Sequence, residues 1–103
     1  MVAEVLELLA PRPDAHIVDA TTGHGGHAEA ILQRLGPDGM LVGLDRDPEM
    51  LAVAEERLRG FGARAKLFHA RFSFLREVAA AAGALPVDGV LLDLGVCSAH
   101  LDQ

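Results

Sequence analysis

Two acidic residues bracket a glycine-rich turn in this chain. Asp19 follows the apolar run Ile17-Val18, and Asp45 closes the run Met40-Leu41-Val42-Gly43-Leu44. Between them lies Thr21-Thr22-Gly23-His24-Gly25-Gly26-His27-Ala28. Glycines at such a turn let the backbone approach a ligand, and an acid about twenty residues further on reaches ribose hydroxyls. This combination fits an adenosine-containing cofactor. Gly23-x-Gly25-x-x-Ala28 satisfies the dinucleotide pattern G-x-G-x-x-G/A. Asp19 argues against a dinucleotide, because the pyrophosphate would lie over the glycines at the helix N-terminus. A carboxylate at the spacing Asp19-x-x-x-Gly23-x-Gly25 repels that anion. It suits a cofactor with no phosphate and a positive end. S-adenosylmethionine, with its sulfonium and ammonium, is such a cofactor, and NAD is the rival that Asp19 disfavours.

The remaining polar residues divide into site and scaffold. Asp47-Pro48 reads as a helix start, with Asp as N-cap and Pro in the first turn. That leaves Asp45 for the ribose. Phe72, after a third apolar run, is placed either against an adenine or in the core. Asp93 ends a fourth run, Val87 to Leu94, so Asp19, Asp45 and Asp93 are all expected at carboxyl ends of strands. In an open α/β sheet that is where the ligand crevice lies. Asp88 begins its strand and is expected only to be solvated. His27 is placed to offer its ring or backbone N–H to the cofactor. His24 and His27 lack a carboxylate or Cys cluster to complete a metal site, so no metal is expected. His16 and His69 read as structural. Cys97 has no evident base partner, which makes it a poor nucleophile.

The elements that must position these residues follow from periodicity. Val2, Val5, Leu6 and Leu9 fall at helical spacing, and Pro11 and Pro13 end that helix. Strands are predicted at His16 to Ala20, Met40 to Asp45, Ala65 to His69 and Val87 to Leu94. Ala28, Ile31, Leu32 and Leu35 give one helical face, ended by Gly36-Pro37 as C-cap and stop. Leu51, Ala54, Leu58 and Phe61 give another, with Glu55 and Glu56 facing Arg59 outside. Ser73 is the predicted cap of a helix through Ala82, with Phe74, Val78 and Ala82 inward. The order α-β-α-β-α-β-α-β implies a parallel sheet with helices on both sides. The fourth strand is apolar enough to be buried on both faces. It is expected to leave an open edge that invites self-association.

Bulk properties exclude several classes. The 103 residues carry nine Lys and Arg against fifteen Asp and Glu, a formal net charge of −6. A stand-alone nucleic-acid binder is usually basic. One Cys excludes an internal disulfide and fits a reducing, cytoplasmic setting. No apolar stretch is long enough for a membrane span, and the N-terminus, with Glu4 and Glu7, lacks the basic region of a signal peptide.

Three segments together resemble one family. Asp-Ala-Thr-x-Gly-x-Gly-Gly-His at 19–27, Leu-Asp-Arg-Asp-Pro at 44–48 and Val-Asp-Gly-Val-Leu-Leu-Asp-Leu-Gly-Val at 87–96 are similar to the bacterial small-subunit ribosomal RNA cytosine-N4 methyltransferases. The resemblance implies a Rossmann-like S-adenosylmethionine-dependent methyltransferase sheet. It also implies methyl transfer to the exocyclic amine of a decoding-centre cytosine, with 16S ribosomal RNA as partner. By resemblance Gly25, Gly26 and His27 contact the cofactor and Asp45 takes the ribose. Phe72 and Asp93 then line the adenine and methionine region. Asp93 is the candidate that accepts a hydrogen bond from the target amine. Where the family has a cofactor-contacting Gln, this chain has His100, and Cys97-Ser98-Ala99 stands where the family usually reads Ser-Ser-Pro. Family members run well over twice this length. Residues 1–103 are therefore read as a partial domain, the first four parallel strands with flanking helices, with later strands and an inserted RNA-binding helical domain absent. A non-catalytic remnant that folds or self-associates is the competing reading.

Overall fold

In the computed structural model, residues 13–20, 22, 25–92 and 95–97 are described. The helix expected over 2–9 lies outside them. The strands are β1 (His16–Asp19), β2 (Met40–Asp45), β3 (Ala65–His69), β4 (Gly89–Leu92) and β5 (Gly95–Cys97). They form one sheet in the order β3-β2-β1-β4-β5, the first four parallel and β5 antiparallel to β4. The chain winds outward from β1 through β2 to β3, then returns to place β4 on the other side of β1. That reversal opens a crevice beyond the carboxyl ends of β1 and β4. Asp19 lies level with Gly43 and Leu91, and Asp45 lies level with His69.

Strand alternation sorts the core into two layers. Ile17, Leu41 and Leu91 face helices α1 (Gly26–Arg34) and α2 (Pro48–Leu58), where they meet Ala28, Ile31, Leu32 and Leu58. Val18, Val42 and Val90 face the opposite way. There α3 (Leu75–Ala81) supplies Leu75 and Ala79, joined by Ala82, Ala84 and Val87. Each fully buried Val, Leu or Ile contributes about 1.5–3 kcal/mol by leaving water. Burial on both faces explains why β1 and β2 read as continuous apolar runs. Among the described residues no helix is long and apolar enough to cross a membrane.

Helix ends are held by side chains. Asp47 caps α2: its Oδ1 accepts from the Glu49 N–H at 2.9 Å, with Pro48 in the first turn. Arg64, beyond α2, reaches back so that Nη2 donates to the carbonyls of Leu32 (3.0 Å) and Leu35 (2.9 Å). Its guanidinium also lies 5.7 Å from the Phe61 ring centroid. Lys66 on β3 does the same for α3, its Nζ donating to Ala82 O at 3.0 Å. A cation at a helix C-terminus satisfies orphan carbonyls and the macrodipole together.

Several expectations are corrected. The helix α1 ends with Leu35 as C-cap in an extended conformation, and Gly36 is not left-handed. The Gly36 N–H instead donates to Pro13 O at 2.7 Å. Phe61 falls in a 3₁₀ segment, Arg59–Arg64, rather than on the α2 face. Ser73 does not cap α3: it lies inside a 3₁₀ turn, Phe72–Phe74, and α3 starts at Leu75 with Phe74 at its N-cap. Phe74 therefore points outward, 51% exposed, and Leu75 takes the inward place. Asp88 is half-buried and not merely solvated. Its Oδ2 accepts from the His16 N–H at 2.8 Å, and its own N–H donates to His16 O at 2.7 Å. His16 Nδ1 is 2.8 Å from Ala84 O, so the pair ties the entries of β1 and β4 to the end of α3. Finally, β4 is not an edge strand, because Val90 to Leu92 pair with β5.

Candidate functional site

The turn after β1 is built by close contact with β2. Thr22, buried, donates from Oγ1 to Asp19 O at 3.2 Å, and its N–H donates to Leu44 O at 3.0 Å. The segment thus folds across the top of β2. Gly43 lies directly beneath: a Cβ there would collide with Thr22 Oγ1 and stand 2.7 Å from Leu67 Cδ2. The absence of a side chain at 43 is what lets Thr22 sit so low. Gly25 then enters α1 with φ at 92°, in the left-handed region that glycine tolerates. A Cβ on Gly25 would meet the Cα and Cβ of Ala54 at 3.2 Å, so this glycine also sets the approach of the turn to α2.

Asp19 is 1% exposed, and with Thr22 it makes up the buried polar side chains among the described residues. A carboxylate held inside costs several kcal/mol unless charge or hydrogen bonds offset it. Its place is the carboxyl end of β1, at the switch point. Asp45, half-buried, ends the neighbouring strand, about 7 Å farther along the sheet than the level of Asp19. Its Oδ1 accepts from the Asp47 N–H at 2.9 Å. His69 Nε2 lies 2.9 Å from Arg46 O, and the Ala70 N–H donates to Asp45 O at 3.1 Å. The turn that carries Asp45 is therefore clamped from both β2 and β3, which gives His69 the structural role expected of it.

Gly26 and His27 occupy the first turn of α1, His27 half-buried. The structure thus gathers Asp19, Gly25, Gly26, His27 and Asp45 at one end of the sheet. Phe72 follows β3 at that same end, in the 3₁₀ turn. Gly23, Asp93 and His100 lie outside the described residues. Sequence reasoning missed Gly43 and Thr22 as builders of the site. A Gly inside an otherwise apolar strand was the available signal, since it often marks a close backbone approach.

A turn through Thr22 and Gly25 over the switch point of a Rossmann-like sheet, with carboxylates at successive strand ends, is the arrangement expected of a domain for a nucleoside cofactor. Comparison with known proteins narrows this. The chain belongs to the MraW methylase family, whose family model matches residues 1–103. The ribosomal RNA small subunit methyltransferase H of Trichlorobacter lovleyi is 52% identical over 99 residues, covering 96% of this chain and 32% of that protein. Its namesake from Geobacter sulfurreducens is 53% identical over 102 residues, covering 99% of this chain and 33% of that protein. The chain spans about a third of the length of these relatives. Among solved structures, an rRNA methylase from Streptococcus thermophilus shares the fold, with TM-score 0.66 and 20% identity over 88% of this chain and 48% of that one. NSun6 from Pyrococcus horikoshii, solved with SFG, has TM-score 0.68 and 26% identity, covering 89% of this chain and 23% of that one.

Proposed function

We propose that this chain is the cofactor-binding part of an S-adenosylmethionine-dependent methyltransferase of small-subunit ribosomal RNA. The substrate atom is the exocyclic N4 amine of a decoding-centre cytosine. The observation that carries the reading is the pair of carboxylates, Asp19 and Asp45, at adjacent strand ends around a turn whose Thr22 the bare Gly43 admits onto β2. The donor set fits the cofactor. A buried carboxylate suits a ligand with a cationic end and opposes a pyrophosphate, and an acid at the end of β2 suits a ribose diol. The left-handed Gly25, with no side chain to strike Ala54, lets the turn enter α1 close to α2. When bound, S-adenosylmethionine supplies a methyl group on a sulfonium, already strongly electrophilic.

The protein's task is then alignment and exclusion of water. Asp45 fixes the ribose, and the clamp from His69 and Ala70 holds the Asp45 turn. Asp19 interacts with the cationic end of the cofactor, directly or through the turn it supports. Gly23, Gly26, His27, Phe72 and His100 complete the cofactor's surroundings. Asp93 accepts a hydrogen bond from the target amine, which concentrates the nitrogen lone pair and later receives its proton. The cytosine must be unstacked to reach the crevice.

The relatives' names and the matched family support this reading, which carries with it a cytoplasmic location. The chain is proposed to bind cofactor without methylating RNA on its own, because with a formal net charge of −6 its own hold on a ribosomal RNA substrate is expected to be weak. The test is transfer of a radiolabelled methyl from S-adenosylmethionine to isolated small ribosomal subunits. The expected result is no label in RNA with this chain, and label at a cytosine N4 with a full-length relative. Label at any other position would refute the proposed substrate atom, and transfer by the 103-residue chain would refute the division of labour.

A further inference from the structure

A second concavity lies outside the cofactor turn. It is an open groove of about 750 Å³ between β3 and α3, at the edge strand of the described sheet. Its floor is Phe68 and Val78, both partly buried, and one wall is the half-exposed ring of Phe74. Arg46 and Arg71, both exposed, stand at its mouth. Neither side chain forms an ion pair or hydrogen bond among the described residues. Glu77 is the one carboxylate among the described lining residues. In a chain of formal net charge −6, this is a place where cations outnumber acids beside an outward aromatic ring.

The combination is specific in its chemistry. Among the described residues a large apolar ring is held half in water by a short 3₁₀ turn, because Leu75 fills the inward place. An aromatic platform with cations beside it is how proteins hold an unpaired nucleotide: the base stacks and the guanidinium groups take the phosphates. Position supports this. Arg46 follows Asp45 directly, and Arg71 precedes Phe72, so the groove opens from the same end of the sheet as the cofactor site. A base that must be pulled from its stack needs its neighbouring strand held nearby.

We propose that this groove binds an unpaired nucleotide of the RNA substrate flanking the target base, stacked on Phe74 with its phosphates on Arg46 and Arg71. The inference rests on the methyltransferase reading above and adds to it a substrate contact within this chain. The test uses the 103-residue chain with two probes: a short fluorescein-labelled single-stranded RNA containing cytosine, followed by anisotropy, and S-adenosylhomocysteine, followed by calorimetry. Phe74→Ala should weaken RNA binding about tenfold or more. Arg71→Ala should weaken it and flatten the dependence of log Kd on log salt by about one unit. Both should leave S-adenosylhomocysteine affinity within about twofold. RNA affinity unchanged in both variants, or no RNA binding by the parent chain, would overturn the proposal while cofactor binding kept the function standing. Loss of S-adenosylhomocysteine affinity in Phe74→Ala with RNA binding intact would also overturn it, assigning the groove to the cofactor's adenine. A parent chain that binds no S-adenosylhomocysteine is a failure of the underlying reading and is seen separately.

Discussion

Gly43→Ala is the substitution that most directly probes how the site is assembled. The added methyl would stand 2.7 Å from Leu67 Cδ2, 3.3 Å from Thr22 Cγ2, and in collision with Thr22 Oγ1. The Leu67 methyl lies at the end of a flexible side chain and can turn aside. Thr22 cannot, because its hydroxyl is bonded to Asp19 O and its N–H to Leu44 O. Overpacking of this kind costs about 1–3 kcal/mol. Loss of the hydroxyl bond adds about 1 kcal/mol, and the lower chain entropy of Ala in the unfolded state returns about 0.5–1 kcal/mol. The net is a destabilisation of about 2 kcal/mol, or a Tm lower by roughly 8–16 °C for a domain of this size. Urea unfolding of Gly43→Ala, Thr22→Ala and the double variant forms a cycle that isolates the contact. If Thr22 Oγ1 is the obstacle, the double variant should be more stable than the sum of the singles by at least about 1 kcal/mol. Additivity within about 0.5 kcal/mol, or a Gly43→Ala chain as stable as the parent, would refute the reasoning.

Three further outcomes are expected. Arg64→Ala removes two charge-assisted bonds from the end of α1 and should cost about 1.5–3 kcal/mol by urea unfolding; a change below about 0.5 kcal/mol would show that water replaces it. Asp47→Ala removes the cap of α2 and should lower stability by about 1 kcal/mol, visible as a lower Tm. The Glu56–Arg59 pair, 2.8 Å apart with side chains 71% and 72% exposed, should be worth almost nothing. Arg59→Ala is expected within about 0.5 kcal/mol of the parent in the same assay.

Much of the scaffold was legible in the sequence, and the reasons are physical. Met40 to Asp45 and Ala65 to His69 were read at their observed ends because each strand stops at a turn residue or a charge. Asp47-Pro48 announced the start of α2 because only the first helical turn accepts a proline after a carboxylate cap. Asp19 and Asp45 were legible as strand-end residues because the apolar run before each of them stops there, and the carboxyl ends of parallel strands border the crevice. What escaped was set by contacts distant in sequence. Phe74 and Leu75 exchange places because a 3₁₀ turn, Phe72–Phe74, shifts the phase of the helix that follows. Asp88 found His16 across the chain. Arg64 and Lys66 carry no local signal of their role, and they cap helices only because the fold brings α1 and α3 to them. Thr22 and Gly43 meet through strand register, which no local pattern reveals.

The account stands or falls on the two strand-end carboxylates forming a phosphate-free nucleoside site. Calorimetric titration of the purified chain with S-adenosylhomocysteine, beside NAD and an Asp45→Ala variant, measures this. The account predicts binding of S-adenosylhomocysteine but not NAD, weakened about tenfold or more in the variant, since a hydrogen bond to a charged group is worth about 1.5–3 kcal/mol. Binding of NAD, or S-adenosylhomocysteine affinity indifferent to Asp45→Ala, would contradict it.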